Sequence, residues 1–250
     1  MTRGICYNIP MNRQSGNVFF IIFIGIALFA ALGYAVSQSM RTGSNAGQTE
    51  KSTMLATDII SYGNSIATAV KTMMVVNGCK ETQITFEDNN GTSYKTVSGA
   101  YDYTNSNAPT DKTCHVFNPA GGGVTPRIMS QNATLLDSDV AAHNMAPKSW
   151  IAQYGKFNGI GTETGAEGAD LILGIGFLKK EVCIEINNKL GITNPSGNPP
   201  TDTWAGGRFV GTYADSANDF NTTATQGKKA FCGTSTGGDR FMYYQVLIAR

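Results

Sequence analysis

Between Arg13 and Arg41 no charged side chain interrupts the chain, and residues 18–36 (VFFIIFIGIALFAALGYAV) are almost wholly apolar. Nothing else in the sequence narrows the fold so far. Nineteen helical residues rise about 29 Å, close to the hydrocarbon thickness of a bilayer. A core helix of a water-surrounded domain carries a polar stripe, whereas this one is apolar all round. Two readings remain: a retained membrane helix, or a secretory signal with Arg3 and Arg13 ahead of it and Gly33 and Ala35 at a cleavage site. Signal-peptide apolar regions run about 7–15 residues, so the length favours the anchor. The segment occurs once, which puts the long remainder of the chain on one side of one membrane.

Flanking charge barely orients it, since Arg3 and Arg13 precede the segment and Arg41 and Lys51 follow. The cysteines say more. Cys6 stands on the short side, and Cys79, Cys114, Cys183 and Cys232 stand on the long side with no CxxC pair among them. Wide spacing argues against a zinc site and for two disulfides in an oxidising compartment. Of the three pairings, the sequence-local one, Cys79 with Cys114 and Cys183 with Cys232, is expected, with the large domain outside the cytoplasm and the N-terminus inside. Charged residues make up 15% of the chain and the net charge is +1. No basic run supports nucleic-acid binding. A polar, uncharged surface of this kind fits a loop-rich β domain outside the cytoplasm better than a cytosolic enzyme.

After the apolar run, Gly43 and Gly47 predict a loosened or kinked helix. Helical periodicity then resumes, with Leu55, Ile59, Tyr62, Ile66, Val70, Met73 and Val76 on one face and Thr57, Ser61, Ser65, Thr68 and Thr72 opposite. Gly78 stops it. Ile84–Phe86 and Tyr94–Val97 around Asp88-Asn89-Asn90-Gly91 predict a hairpin, and Cys114–Phe117 a further strand. Residues 99–112 and 193–203 predict loops. Trp150–Phe157 and Leu171–Phe177 carry strand character, the second alternatively being an apolar lead-in to the next helix; Leu178, Val182, Ile186 and Leu190 with Gly191 mark that capped helix, and 240–249 is the best strand in the chain.

Candidate chemistry is thin. Asn118-Pro-Ala-Gly-Gly-Gly-Val124 lacks the spacing and lysine of a phosphate loop, and a tight structural turn is the better reading. His115 and His143 are the only histidines, too few for a metal site without carboxylates from distant segments. Asp137 and Asp139 would point to opposite faces of a strand. There is no nucleophile elbow, and the sequence predicts no enzyme, no cofactor and no metal. Asn90-Gly-Thr92, Asn132-Ala-Thr134 and Asn221-Thr-Thr223 match glycosylation acceptors, a pattern that arises by chance in a chain rich in Asn and Thr.

Arg13-Gln-Ser-Gly16-Asn17, set directly before the apolar run, resembles the start of type IV pilins and pseudopilins. That resemblance implies a basic leader ending at Gly16, a mature chain beginning at Asn17, and a prepilin-type peptidase as processing partner. It also implies a long apolar helix that packs with like subunits, and a disulfide-bearing head outside the bacterial inner membrane, periplasmic or extracellular. Ile21 stands where the family carries Glu. Gly25, Ala27, Ala30, Ala31 and Gly33 would permit close helix packing.

The expected fold is α+β: an N-terminal hydrophobic helix continuing into an amphipathic helix that packs on an antiparallel β-rich head. Expected boundaries are 1–16 for the leader, 17–40 for the transmembrane helix, 41–78 for the hinge and amphipathic helix, and 79–250 for the head. The expected function is structural, as a subunit of a type IV pilus or type II secretion-like filament. The alternative is a single-pass or secreted binding or adhesion domain using loops 99–112 and 193–208 with Tyr101, Tyr103 and Trp204.

Overall fold

The computed structural model describes residues 17–87, 103–135, 150–162, 165–202, 206–215, 218–235 and 240–250; within them, the side chains of residues 17–18, 35–46, 218–219 and 235 are not described. The chain divides into two compact units, 1–48 and Thr49–Arg250. Helix α1 (Asn17–Val76) contributes to both and is helical without a break through Gly43 and Gly47. Each glycine weakens a helix by about 1 kcal/mol, yet the backbone stays helical through both, so the predicted loosening is not a break in the helix.

The second unit is α+β. A seven-stranded sheet runs in the order β3-β6-β7-β2-β1-β4, with β5 paired to β1. Its strands are β1 (Trp150–Phe157), β2 (Asp170–Leu178), β3 (Thr201–Asp202), β4 (Gly207–Arg208), β5 (Asn218–Asp219), β6 (Ala230–Ser235) and β7 (Phe241–Ile248). The four long strands are antiparallel neighbours, while β3–β6 and β1–β5 are parallel. The expected antiparallel sheet is therefore mixed, because short returning segments add to both margins. β2 lies between two long strands and is buried at all nine positions, as a near-continuous apolar run requires.

Strand alternation gives the sheet two faces. Trp150, Ala152, Leu173, Ile175, Tyr243, Leu247 and Cys232 point to one, where they meet Ile59, Tyr62, Ile66, Val70 and Met73 of α1 and Val182 and Ile186 of α2 (Lys180–Leu190). This is the main core. Every stripe residue from Ile59 to Met73 is buried, Thr57, Ser61, Ser65, Thr68 and Thr72 are exposed, and Leu55 is half-buried. Val76, placed on the stripe from sequence, is 73% exposed, because the helix ends there beyond the sheet. On the other face Phe157, Phe220, Phe231 and Tyr244 form an aromatic cluster with ring centroids 4.9–6.1 Å apart. It closes a smaller core with Ile160, Ile172, Ile192 and Val246.

Gly191 closes α2 in the left-handed conformation (φ 66°), its N–H directed to the carbonyls of Asn187 and Asn188. Ile84–Phe86 and Cys114–Phe117 do not form strands. They meet in one parallel bridge, Thr85 to His115, because the neighbouring backbone groups are taken by turns: the His115 N–H donates to Lys112 and the Gly122 N–H to His115. Tyr94–Val97, the second arm of the expected hairpin, lies outside the described residues.

Candidate functional site

The feature of this chain with the least structural explanation is the first part of α1. Phe19, Phe23, Phe29 and Tyr34 are 77%, 73%, 83% and 69% exposed, and Ile21, Ile22, Ile24, Ile26, Leu28 and Leu32 are exposed with them. A Cβ added at Gly25 or Gly33 would meet nothing within 4 Å. Apolar side chains are thus exposed on every side of the helix, an arrangement water disfavours by about 25 cal/mol per Å². Among the described residues no helix is long and apolar enough to cross a membrane. The described apolar side chains end at Phe19 and Tyr34, and sixteen residues reach only about 24 Å against a core of roughly 30 Å. Val18, Ala35 and Val36 of the expected span fall outside the described side chains. Gly16, the expected last leader residue, lies outside the described residues, and Asn17 opens α1.

In the second unit, α1 is seated by more than apolar contact. Tyr62 packs on Trp150 at 5.1 Å between centroids, and Trp150 meets Tyr243 edge-on at 6.1 Å. The Tyr243 hydroxyl donates to Gln245 Oε1 at 2.8 Å, and Gln245 Nε2 donates to Asn64 Oδ1 at 2.9 Å. The Tyr62 hydroxyl donates to the Thr125 carbonyl at 2.9 Å, and the Arg127 guanidinium pairs with Asp58 while lying over the Tyr62 ring. Burial pushes the Tyr243 phenol well above its ordinary pKa.

Two disulfides staple the unit, Cys79–Cys114 with Cα atoms 5.8 Å apart and Cys183–Cys232 at 5.4 Å. This is the sequence-local pairing. The first ties the end of α1 to the 103–135 segment, the second ties α2 to β6. Arg250 makes a third junction: its guanidinium stacks at 3.9 Å on the Tyr213 ring, bonds Glu81 at 3.1 Å and donates to the Ala166 carbonyl at 2.9 Å.

Other positions singled out from sequence resolve as structure. The N–H groups of Gly121, Gly122, Gly123 and Val124 donate to Asn118, His115, Asn118 and Val116, so the Asn118–Val124 loop directs none of them outward to a phosphate. His115 is buried, which lowers its pKa below the ordinary histidine value, the Glu87 carboxylate opposing. No group of three or more metal-ligating side chains exists among the described residues. His143, Asp137, Asp139, Tyr101 and Trp204 lie outside the described residues. Tyr103, expected on an exposed binding loop, is 1% exposed. Its hydroxyl accepts from the Ala152 N–H at 3.1 Å and so satisfies the margin of β1. A shallow groove of about 450 Å³ runs along the outer face of α1, lined by Ser61, Asn64, Ser65, Thr68, Ala69, Thr72 and Gly122. None of these side chains titrates, and Ser65 and Thr68 donate to helix carbonyls at Tyr62 and Asn64.

Gln245 and Asn187 were not singled out from sequence. Gln245 had a legible signal, since alternation with Tyr243 and Leu247 puts an amide on the core face, where it requires partners. Comparison with protein-family models, with curated proteins and with solved structures finds no match.

Proposed function

We propose that this protein is a pilin-like structural subunit, held in a bacterial inner membrane by the first part of α1 and carrying its disulfide-stapled α+β unit on the periplasmic or extracellular side. The observation that carries the reading is the apolar segment Phe19–Tyr34, exposed on all sides. Only lipid, or the apolar helices of like subunits, gives such a surface a favourable environment. In the membrane the segment is surrounded by lipid; in an assembly it exchanges lipid for protein contact, with Gly25 and Gly33 admitting close neighbours. The two disulfides support an oxidising compartment for the head.

N-terminal sequencing of the protein from source membranes tests this directly. Mature protein starting at Asn17 supports pilin-type processing, and Gly16→Leu is then expected to retain the leader. A start near Val36 would make the chain a secreted domain, and an intact start would make it a plainly anchored one; either result removes the pilin reading.

A further inference from the structure

Of the three Asn-x-Thr triplets, the structure separates two. An acceptor asparagine needs its carboxamide and the hydroxyl two residues on to be reachable together by a transferase. At Asn132 this fails. Its Oδ1 accepts from Lys51 Nζ at 3.0 Å, and Thr134 is 1% exposed, its Oγ1 buried at the bridge to Leu178. Asn90 lies outside the described residues.

Asn221-Thr222-Thr223 is arranged differently. Asn221 and Thr223 are both exposed, on a turn whose two ends are fixed inside the protein. Phe220, fully buried, enters the aromatic cluster before the triplet, and Thr225, fully buried, follows it. The Thr225 hydroxyl donates to the Phe220 carbonyl at 3.1 Å, and the Asn221 N–H donates to Asp202 Oδ2 at 2.8 Å. Anchoring runs through the backbone and the flanking residues, so the Asn221 carboxamide is left without a hydrogen bond among the described residues. The turn belongs to the disulfide-bearing unit, which the reading above puts outside the cytoplasm, where such transfer takes place.

We propose that Asn221 is an N-glycosylation acceptor. The co-reactant is an oligosaccharide carried on a lipid pyrophosphate. Asn221 Nδ2 forms the bond to the sugar's anomeric carbon, the bond from that carbon to the pyrophosphate oxygen breaks, the amide gives up one proton, and the lipid pyrophosphate leaves. The proposal rests on the extracytoplasmic placement of the head argued above.

The test is peptide mapping of the full chain purified from source membranes. Trypsin cuts after Arg208 and Lys228 and releases 209–228, which contains Asn221. The expected result is a glycan mass increment on this peptide, localised to Asn221 by fragmentation. Asn221→Gln and Thr223→Ala each abolish it, while Thr222→Ala and Asn132→Gln leave it in place. An unmodified 209–228 peptide, or an increment that persists in Asn221→Gln, overturns the proposal. The same digest reads the cysteine peptides and the first residue. A bare 209–228 beside oxidised cysteines and an Asn17 start overturns glycosylation and leaves the structural reading standing. A bare peptide beside free cysteines overturns both.

Discussion

The side chain of Asn187 pairs with both backbone groups of Cys232: Nδ2 donates to the carbonyl and Oδ1 accepts from the N–H, each at 2.8 Å. One turn earlier on the same face of α2, Cys183 is bonded to the Cys232 side chain. A single residue of β6 is therefore held twice by one helix, once covalently and once as if by a neighbouring strand. Asn187 is fully buried. Replacing it by Ala strands a buried donor and a buried acceptor on Cys232, each worth about 1–3 kcal/mol. Urea unfolding of the 49–250 unit should show Asn187→Ala less stable by roughly 2–4 kcal/mol with its disulfides intact.

Each disulfide should contribute on its own. The loops closed are 35 and 49 residues in separation, and loop entropy assigns roughly 4 kcal/mol to each. Non-reducing peptide mapping should recover Cys79 linked to Cys114 and Cys183 linked to Cys232. Paired Cys→Ser variants of either bridge should unfold at distinctly lower urea concentration than the parent.

Gly63 should reverse the usual helix rule. Gly→Ala inside a helix ordinarily stabilises by up to about 1 kcal/mol. At Gly63 an added Cβ would run into Gln245 Oε1, with the Tyr243 ring edge at 3.2 Å. Gly63→Ala should therefore destabilise the unit, while Gly47→Ala, whose Cβ would meet nothing within 4 Å, should not. Thermal unfolding of the two variants, measured in the full chain in detergent, reads the opposite signs.

The elements legible in the sequence were those in which burial pattern and local propensity agree. Trp150–Phe157, Leu171–Phe177 and 240–249 are apolar runs long enough to be central strands, and they became β1, β2 and β7. The α1 stripe and the Gly191 cap were legible for the same reason. β6 was not, because Ala230–Ser235 offers only Phe231 and Cys232 around an internal Gly233, and glycine reads as a turn. Its strand character comes from pairing with β7 and from Phe231 in the aromatic cluster, both nonlocal. Tyr103 misled in the opposite direction: surrounded in sequence by Asp, Thr, Asn and Ser, it reads as a loop tip, yet its ring fills the core and its hydroxyl meets β1. Asn187 carries no local signal, since its partner lies 45 residues away.

His115 should give stability a pH dependence of determined sign. Burial lowers its folded-state pKa below the ordinary value of about 6.5, with Glu87 and Asp111 opposing and Lys112 reinforcing. Between the folded and unfolded values the unfolded chain holds more protons, so stability rises with pH through that window and is level above about 6.5. The contribution is lost as pH falls below the unfolded value. Comparing the urea midpoint of parent and His115→Gln at pH 5.5 and 7.5 isolates the effect. The parent should lose more on acidification than the variant, because carboxylates such as Asp111, whose own pKa is lowered by hydrogen bonds from Thr113, titrate in both.

The seating of α1 on the sheet yields the sharpest contrast, because adjacent residues face opposite ways. Ile66 is fully buried in the main core, whereas Ser65 is exposed and donates to the Tyr62 carbonyl at 2.7 Å within its own helix. Removing the Ile66 side chain beyond Cβ should cost about 2–5 kcal/mol, the lost transfer energy plus the cavity left between α1 and the sheet. Ser65→Ala removes a local bond that competes with nothing in the core and improves helix propensity, so its effect should stay within about 0.5 kcal/mol. Urea unfolding of the 49–250 unit with each substitution gives the comparison. Asn64→Ala should fall between them, since it leaves Gln245 Nε2 without the acceptor 2.9 Å away but opens no apolar cavity. If Ile66→Ala were as mild as Ser65→Ala, the stripe from Ile59 to Met73 would not be what holds α1 to the sheet. The helix would then be held mainly by its polar contacts, such as Asn64 with Gln245 and Asp58 with Arg127, and by the Cys79–Cys114 bond at its end.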